Sequence, residues 1–177
     1  MKQPLVRIGS GSSNRDFDIG LVNSGGMPAV SIERIQDDYF LRSEKPISVN
    51  ERQVSEKLLT NGDRISLNRR CHLKFVLPNP ASTSAVLELS TARLKRPDVR
   101  RVILFAESIV MDQTRAAHVS LQQAEPPVVI ISRGGRLTAK PMGRGVTADQ
   151  VQEIVHGETV VVGSTSFSIS PVDTGTC

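Results

Sequence analysis

The chain has 177 residues, 38% hydrophobic and 23% charged, a balance that excludes a disordered polyelectrolyte and supplies one core or two small ones. Twenty-two basic against eighteen acidic residues give a net charge of +4, which a solvated mixed-charge surface explains without any polyanionic partner. No Trp, one Tyr and five Phe leave the core to Val, Ile and Leu, and the stiff β-branched side chains among these favour strands.

Taken in order, the chain alternates apolar and polar residues with period two. Leu5-Val6-Arg7-Ile8 opens a strand and Asp18-Ile19-Gly20-Leu21 suggests another. Ala29-Val30-Ser31-Ile32-Glu33-Arg34-Ile35 turns at Asp37-Asp38 into Tyr39-Phe40-Leu41-Arg42. Ile47-Ser48-Val49 stops at Asn50-Glu51, and Arg64-Ile65-Ser66-Leu67 follows a turn at Asn61-Gly62-Asp63, a composition suited to positive φ. His72-Leu73-Lys74-Phe75-Val76-Leu77 ends at Pro78-Asn79-Pro80. The Pro- and Ser-rich run from there to Ser84 reads as a linker, and Ala85-Val86-Leu87-Glu88-Leu89 as an extra strand opening a second module. Leu94-Lys95-Arg96-Pro97-Asp98-Val99-Arg100-Arg101 is a basic loop before Val102-Ile103-Leu104-Phe105. Thr147-Ala148-Asp149-Gln150 has capping-box form, but its position in the repeat described next argues against a helix. Short strands so often punctuated predict a sandwich or barrel.

An internal repeat organises the chain. Val54-Ser55-Glu56 through Gly62-Asp63-Arg64-Ile65-Ser66-Leu67 is echoed by Val151-Gln152-Glu153 through Gly157-Glu158-Thr159-Val160-Val161-Val162. Leu73-Lys74-Phe75 is echoed by Phe167-Ser168-Ile169, with Pro78 and Pro171 closing the two runs. Upstream, Ala29-Val30-Ser31-Ile32 is matched to His118-Val119-Ser120-Leu121, and Tyr39-Phe40-Leu41 to Val129-Ile130-Ile131. Their common order points to duplication.

The first copy resembles the forkhead-associated domain family. The resemblance rests on Ile8-Gly9, Asp18-Ile19, Ala29-Val30-Ser31-Ile32, Tyr39-Phe40-Leu41 and Val49-Asn50 with Val54. Its most specific part is Leu59, Gly62-Asp63, Ile65 and Leu67, then Leu73, Phe75 and Pro78. It covers residues 5–78, and residues 100–171 through the repeat. It implies all-β architecture, two tandem forkhead-associated-like β-sandwiches over residues 1–80 and 81–177, the second the more divergent. It also implies a phosphothreonine-reading end, where a dianion needs charge-assisted donors.

The family supplies those donors from a Gly-Arg pair, a Ser-x-x-His motif and an Asn before a Gly-Thr turn. Here Gly9 is followed by Ser10, Gly25-Gly26-Met27-Pro28 stands where Ser-x-x-His belongs, and Arg42-Ser43-Glu44-Lys45-Pro46 replaces the Asn-Gly-Thr loop. Asn50 aligns with a structural turn. In the second copy Thr114-Arg115-Ala116-Ala117-His118 resembles the Ser-Arg-x-His motif with one extra residue, His118 holding a loop, and Arg133-Gly134-Gly135-Arg136 reads as a basic hairpin turn. Ligand contact, if retained, falls to Ser10, Ser12, Arg42, Arg115 and His118.

The expected function is therefore a non-enzymatic protein-interaction module in signalling, with phosphothreonine-peptide recognition reduced or lost and another protein, phosphorylated or not, as partner. Of the three histidines, His72 and His156 read as surface and turn residues; no metal-ligand spacing occurs, and no cofactor or metal is expected. Gly9-Ser10-Gly11-Ser12-Ser13 lacks the Lys-Ser/Thr of a P-loop and reads as a flexible loop. Cys71 and Cys177 have no paired spacing and fit a reduced cytoplasmic chain. The N-terminus lacks an apolar signal core and no run would cross a bilayer, so no membrane partner is expected. The alternative is phosphate-backbone binding to nucleic acid by Arg93, Lys95, Arg96, Arg100 and Arg101 with Arg133, Arg136, Lys140 and Arg144; interleaved aromatics for stacking are missing.

Overall fold

Period-two alternation becomes pleated strands wherever one face can be buried, and the burial along Cys71–Val76 alternates accordingly between buried and half-buried. The computed structural model describes residues 4–12, 16–22, 25–143 and 145–170. Ser13, Arg144, Pro171 and Cys177 lie outside them. The protein is all-β, with two short 3-10 turns and no α-helix among the described residues. It divides into two compact units, Met1–Pro78 with Ala85–Phe105, and Asn79–Ser84 with Ala106–Cys177.

The first unit contains β1 (Leu5–Ser10), β2 (Ile19–Leu21), β3 (Val30–Ile35), β4 (Asp38–Val49), β5 (Arg52–Leu58), β6 (Arg64–Asn68), β7 (Cys71–Val76), β8 (Ala85–Leu89) and β9 (Arg101–Leu104). Hydrogen bonding orders them β2-β1-β3-β4-β6-β7-β8-β9, with β5 also on β4; β1 and β2 run parallel. The long β4 serves two layers. Its first half pairs with β3, its second half with β6, and the register shifts between Arg42 and Ile47, around Pro46. The sheet thus curls over its own apolar face in the manner of a sandwich. Ile8, Ile32 and Leu41 meet Ile65, Leu73, Phe75 and Leu87 in one buried cluster. The Tyr39 and Phe75 rings tilt at 59° with centroids 5.3 Å apart, and the Tyr39 hydroxyl donates to the Leu104 carbonyl (3.4 Å).

The second unit contains β10 (Ser108–Asp112), β11 (Val119–Ser120), β12 (Val128–Arg133), β13 (Arg136–Pro141), β14 (Gln152–Glu153), β15 (Thr159–Val162) and β16 (Thr165–Ser168). Five of them form the sheet β11-β10-β12-β13-β14, and β15 and β16 form a separate pair. This five-strand order matches β2-β1-β3-β4-β5, down to a parallel pair at one edge, since β10 and β11 also run parallel. Its core is made of smaller side chains, among them Ala106, Ala117, Ala124 and Ala139 beside Val128 and Ile130.

Three sequence expectations are corrected. Ala85–Leu89 does not open the second module: as β8 it pairs with β7, where Leu87 and Leu89 complete the first core, so the units do not part at a single cut near residue 80. Tyr39-Phe40-Leu41-Arg42 and Ile47-Ser48-Val49 belong to one strand. The upstream repeat is displaced, because Val30 pairs with Ser43 as Val128 pairs with Pro141, which sets residues 29–32 against 127–130 rather than 118–121. The capping-box tetrapeptide forms one 3-10 turn, Ala148–Gln150, with the Gln150 side chain accepting from the Thr147 N–H (3.2 Å).

The repeated glycine turn has the same geometry in each unit. Gly62 has φ +93° and donates to the Phe75 carbonyl (2.8 Å); Gly157 has φ +85° and donates to the Ile169 carbonyl (2.8 Å). A Cβ at Gly62 would meet no atom within 4 Å, so replacement costs backbone conformation alone. Gly62→Ala is expected to destabilise by about 1 kcal/mol, read as a lowered urea midpoint at unchanged m-value. An unchanged midpoint would contradict the left-handed assignment.

Candidate functional site

Ser10 ends β1, half-buried, and its hydroxyl shares a 2.9 Å hydrogen bond with that of exposed Ser12. The glycines around them are held. The Gly11 N–H donates to the Leu21 carbonyl (2.8 Å), closing the parallel β1–β2 pair. The Phe17 ring lies over Gly9 so closely that a Cβ there would come within 2.2 Å of it. The stretch expected to be a flexible loop is therefore braced from Gly9 to Gly11, and the Ser10 and Ser12 hydroxyls share one hydrogen bond.

Arg42 lies between carboxylates. Strand register places it directly opposite Glu56 on β5, where Nε donates to Oε1 (3.1 Å), while Nη1 donates to Glu33 Oε2 on β3. One guanidinium facing two carboxylates leaves the patch negative, the wrong sign for a phosphate dianion. Arg115 sits exposed in the turn between β10 and β11, a loop braced by Asp112, which accepts from the Thr114 hydroxyl (2.9 Å) and the Gln113 N–H (2.7 Å).

His118 points the other way, into the second unit, with 1% of its surface exposed. Its Nδ1 accepts from the Val110 N–H (3.0 Å), so the proton lies on Nε2, which donates to the Ser82 hydroxyl (2.8 Å) and lies 3.2 Å from the Ser84 carbonyl. Burial pushes the imidazole below its usual range, against the opposing effect of the Ser84 carbonyl beside Nε2. A neutral, buried ring with both nitrogens engaged ties residues 82–84 to β10; as a ligand contact, His118 is corrected to a brace.

Sequence reading did not single out Asp63 as the centre of a network. Its 3%-exposed side chain accepts from Asn50 Nδ2 (2.6 Å), Lys57 Nζ (2.8 Å) and the Thr60 N–H (2.9 Å), and Asn50 Oδ1 in turn accepts from the Arg64 N–H (2.9 Å). Burial alone would raise the carboxyl, but Lys57, Thr60 and Asn50 together hold it below the usual carboxylate range. Asn50 and Glu51, at φ +49° and +67°, form the two-residue β4–β5 turn, so Asn50 is structural. The signal was present in the repeated Gly-acid pair.

The basic segment is partly neutralised. Arg96 pairs with Asp98 (2.7 Å) and Arg101 with Glu88 (3.2 Å), whereas Arg93 Nη1 donates to the neutral Ala92 carbonyl (2.8 Å) and keeps its charge. Arg70 and Arg93 still border an open cleft of about 520 Å³ above buried Cys71, with Gly25 and Thr91 on its walls. Arg133 and Arg136 flank the left-handed Gly134-Gly135 turn of the β12–β13 hairpin. His72 bonds to the Ser66 hydroxyl (2.9 Å), and His156 is exposed in its turn. Among the described residues no cluster of three or more His, Cys, Asp or Glu side chains could hold a metal, and no helix is long and apolar enough to cross a membrane. Comparison with family models, curated proteins and solved structures finds no match to this chain.

Proposed function

We propose that the chain is a non-enzymatic protein-interaction module of forkhead-associated type, in which phosphothreonine recognition has been lost from the first unit. The carrying observation is Arg42: it is the cation nearest the sequence position of the family's peptide-reading loop, and Glu33 and Glu56 already claim it. The braced Ser10 and Ser12 offer neutral hydrogen bonds where a charged fork is needed. Each missing charge-assisted bond forfeits about 1.5–3 kcal/mol, so two missing bonds weaken binding by roughly two to four decades. The strand order shared by the two units supports duplication, and the family reading rests on the sequence motifs of the first copy.

The test is titration of the full chain with a degenerate phosphothreonine library and its unphosphorylated twin. The two are expected to bind alike. Low-micromolar binding that vanishes with the phosphate, and that Ser10→Ala combined with Arg42→Ala abolishes, would overturn the proposal. The Arg70 and Arg93 cleft favours phosphate-backbone binding as a second reading, which steep salt-dependent retention on DNA would support.

A further inference from the structure

Two arginines of the first unit line one open cleft of about 520 Å³, and neither pairs with a carboxylate among the described residues. Arg70 stands in the tight turn between β6 and β7, and Arg93 in the segment that follows β8. The backbone that carries each is fixed. The Arg70 N–H donates to Asn68 Oδ1 (2.8 Å), and the Arg70 carbonyl accepts from the Thr91 hydroxyl (2.7 Å). The Arg93 carbonyl accepts from the Val22 N–H (2.8 Å), which ties it to the end of β2.

The Arg93 head group is held without being neutralised. Its Nη1 donates to the Ala92 carbonyl (2.8 Å) and the Ser90 carbonyl (3.3 Å), both uncharged. The Nε and Nη2 edge, which grips an oxyanion through two parallel bonds, takes no partner among the described residues. The Arg70 side chain is exposed and likewise makes no bond there. The rest of the lining narrows the ligand. Its apolar part is Val22, Ala92 and the buried Cys71, all small, so no deep pocket anchors a partner's side chain. No aromatic ring lines it for a base to stack on. Cationic donors with neither an anchor pocket nor a stacking platform select repeated negative charge, which a phosphodiester chain supplies at every unit.

We propose that this cleft binds the phosphodiester backbone of a nucleic acid without regard to sequence, Arg93 gripping one phosphate through Nε and Nη2 and Arg70 neutralising another. The proposal rests on the second functional reading and gives it a site; the loss of phosphothreonine recognition has its own, separate test.

The experiment titrates the full chain into a labelled, mixed-sequence single-stranded oligonucleotide, as DNA and as RNA, at rising salt. Arg70→Gln combined with Arg93→Gln is expected to flatten the slope of log K against log salt by about 1.4, two phosphate contacts at about 0.7 each. Arg70→Gln alone breaks no bond of the fold and is expected to flatten it by about 0.7, which keeps the test sound if loss of Arg93 unfolds the unit. Arg133→Gln combined with Arg136→Gln removes the same charge from the β12–β13 hairpin and should leave the slope unchanged. A slope untouched by the cleft variants, or flattened equally by the hairpin pair, would overturn the site and spare the second reading. Absence of binding to either oligonucleotide would overturn both. An acidic peptide of equal charge that competes as well as unlabelled oligonucleotide would also overturn the proposal, because the cleft would then take carboxylates.

Discussion

Asp63→Ala is expected to lower stability by about 2–4 kcal/mol, the largest single loss among polar sites of the first unit. The deleted carboxylate is 3% exposed and leaves three donors behind: the Asn50 amide, the Thr60 N–H and the Lys57 ammonium. Lys57 is 27% exposed and recovers part of its hydration, which keeps the loss below that of a fully buried ion pair. The linkage sign follows from the lowered carboxyl. Its contribution is complete above the unfolded value of about 3.9 and fades as pH falls through the lower folded one. Asp63→Asn should therefore flatten the acid limb of a plot of urea midpoint against pH. An unchanged midpoint for Asp63→Ala at neutral pH, or an unchanged acid limb for Asp63→Asn, would refute the assignment.

The same network shows what could be read from the chain. Gly62-Asp63-Arg64-Ile65 was legible as a turn into a strand, because a glycine-acid pair before period-two alternation needs no tertiary knowledge. That Asp63 gathers Asn50 and Lys57 was not, since only the β4–β5 and β4–β6 pairings bring those residues together. Arg42 is the clearest case. In sequence it looks available to an anion, and its carboxylate partners, Glu33 and Glu56, become neighbours only once β3, β4 and β5 pair in register. Strand existence was readable because burial follows alternation; strand partnership was not, because Ala85-Val86-Leu87-Glu88-Leu89 would suit the edge of β7 or of β16 equally well. The misplaced upstream repeat has the same origin, for alternating apolar residues look alike at many offsets, and only the Val128–Pro141 register identifies the counterpart of β3.

His118→Ala is expected to cost the second unit about 3 kcal/mol, from a cavity where a fully buried ring stood and from the polar groups it leaves unpaired. Those groups are the Val110 N–H, the Ser82 hydroxyl and the Ser84 carbonyl, all within 3.2 Å of the ring. This core is rich in alanine and has little apolar mass to spare. The pH dependence carries the sharper test. The folded imidazole is held below its ordinary value, first by burial, so the unfolded chain takes up a proton that the folded chain refuses. The stability tied to His118 is thus fully present above about pH 6.5, the unfolded value, and declines as pH falls towards the lower folded one. Amide exchange in β10 and β12 should accelerate between pH 7 and pH 5, after correction for intrinsic exchange, in the unaltered chain. In His118→Ala that added acceleration should disappear, although the unit opens more readily at every pH. If the altered chain kept the same acid-induced opening, or if β10 were no less protected than before, His118 would not be the brace its hydrogen bonds describe.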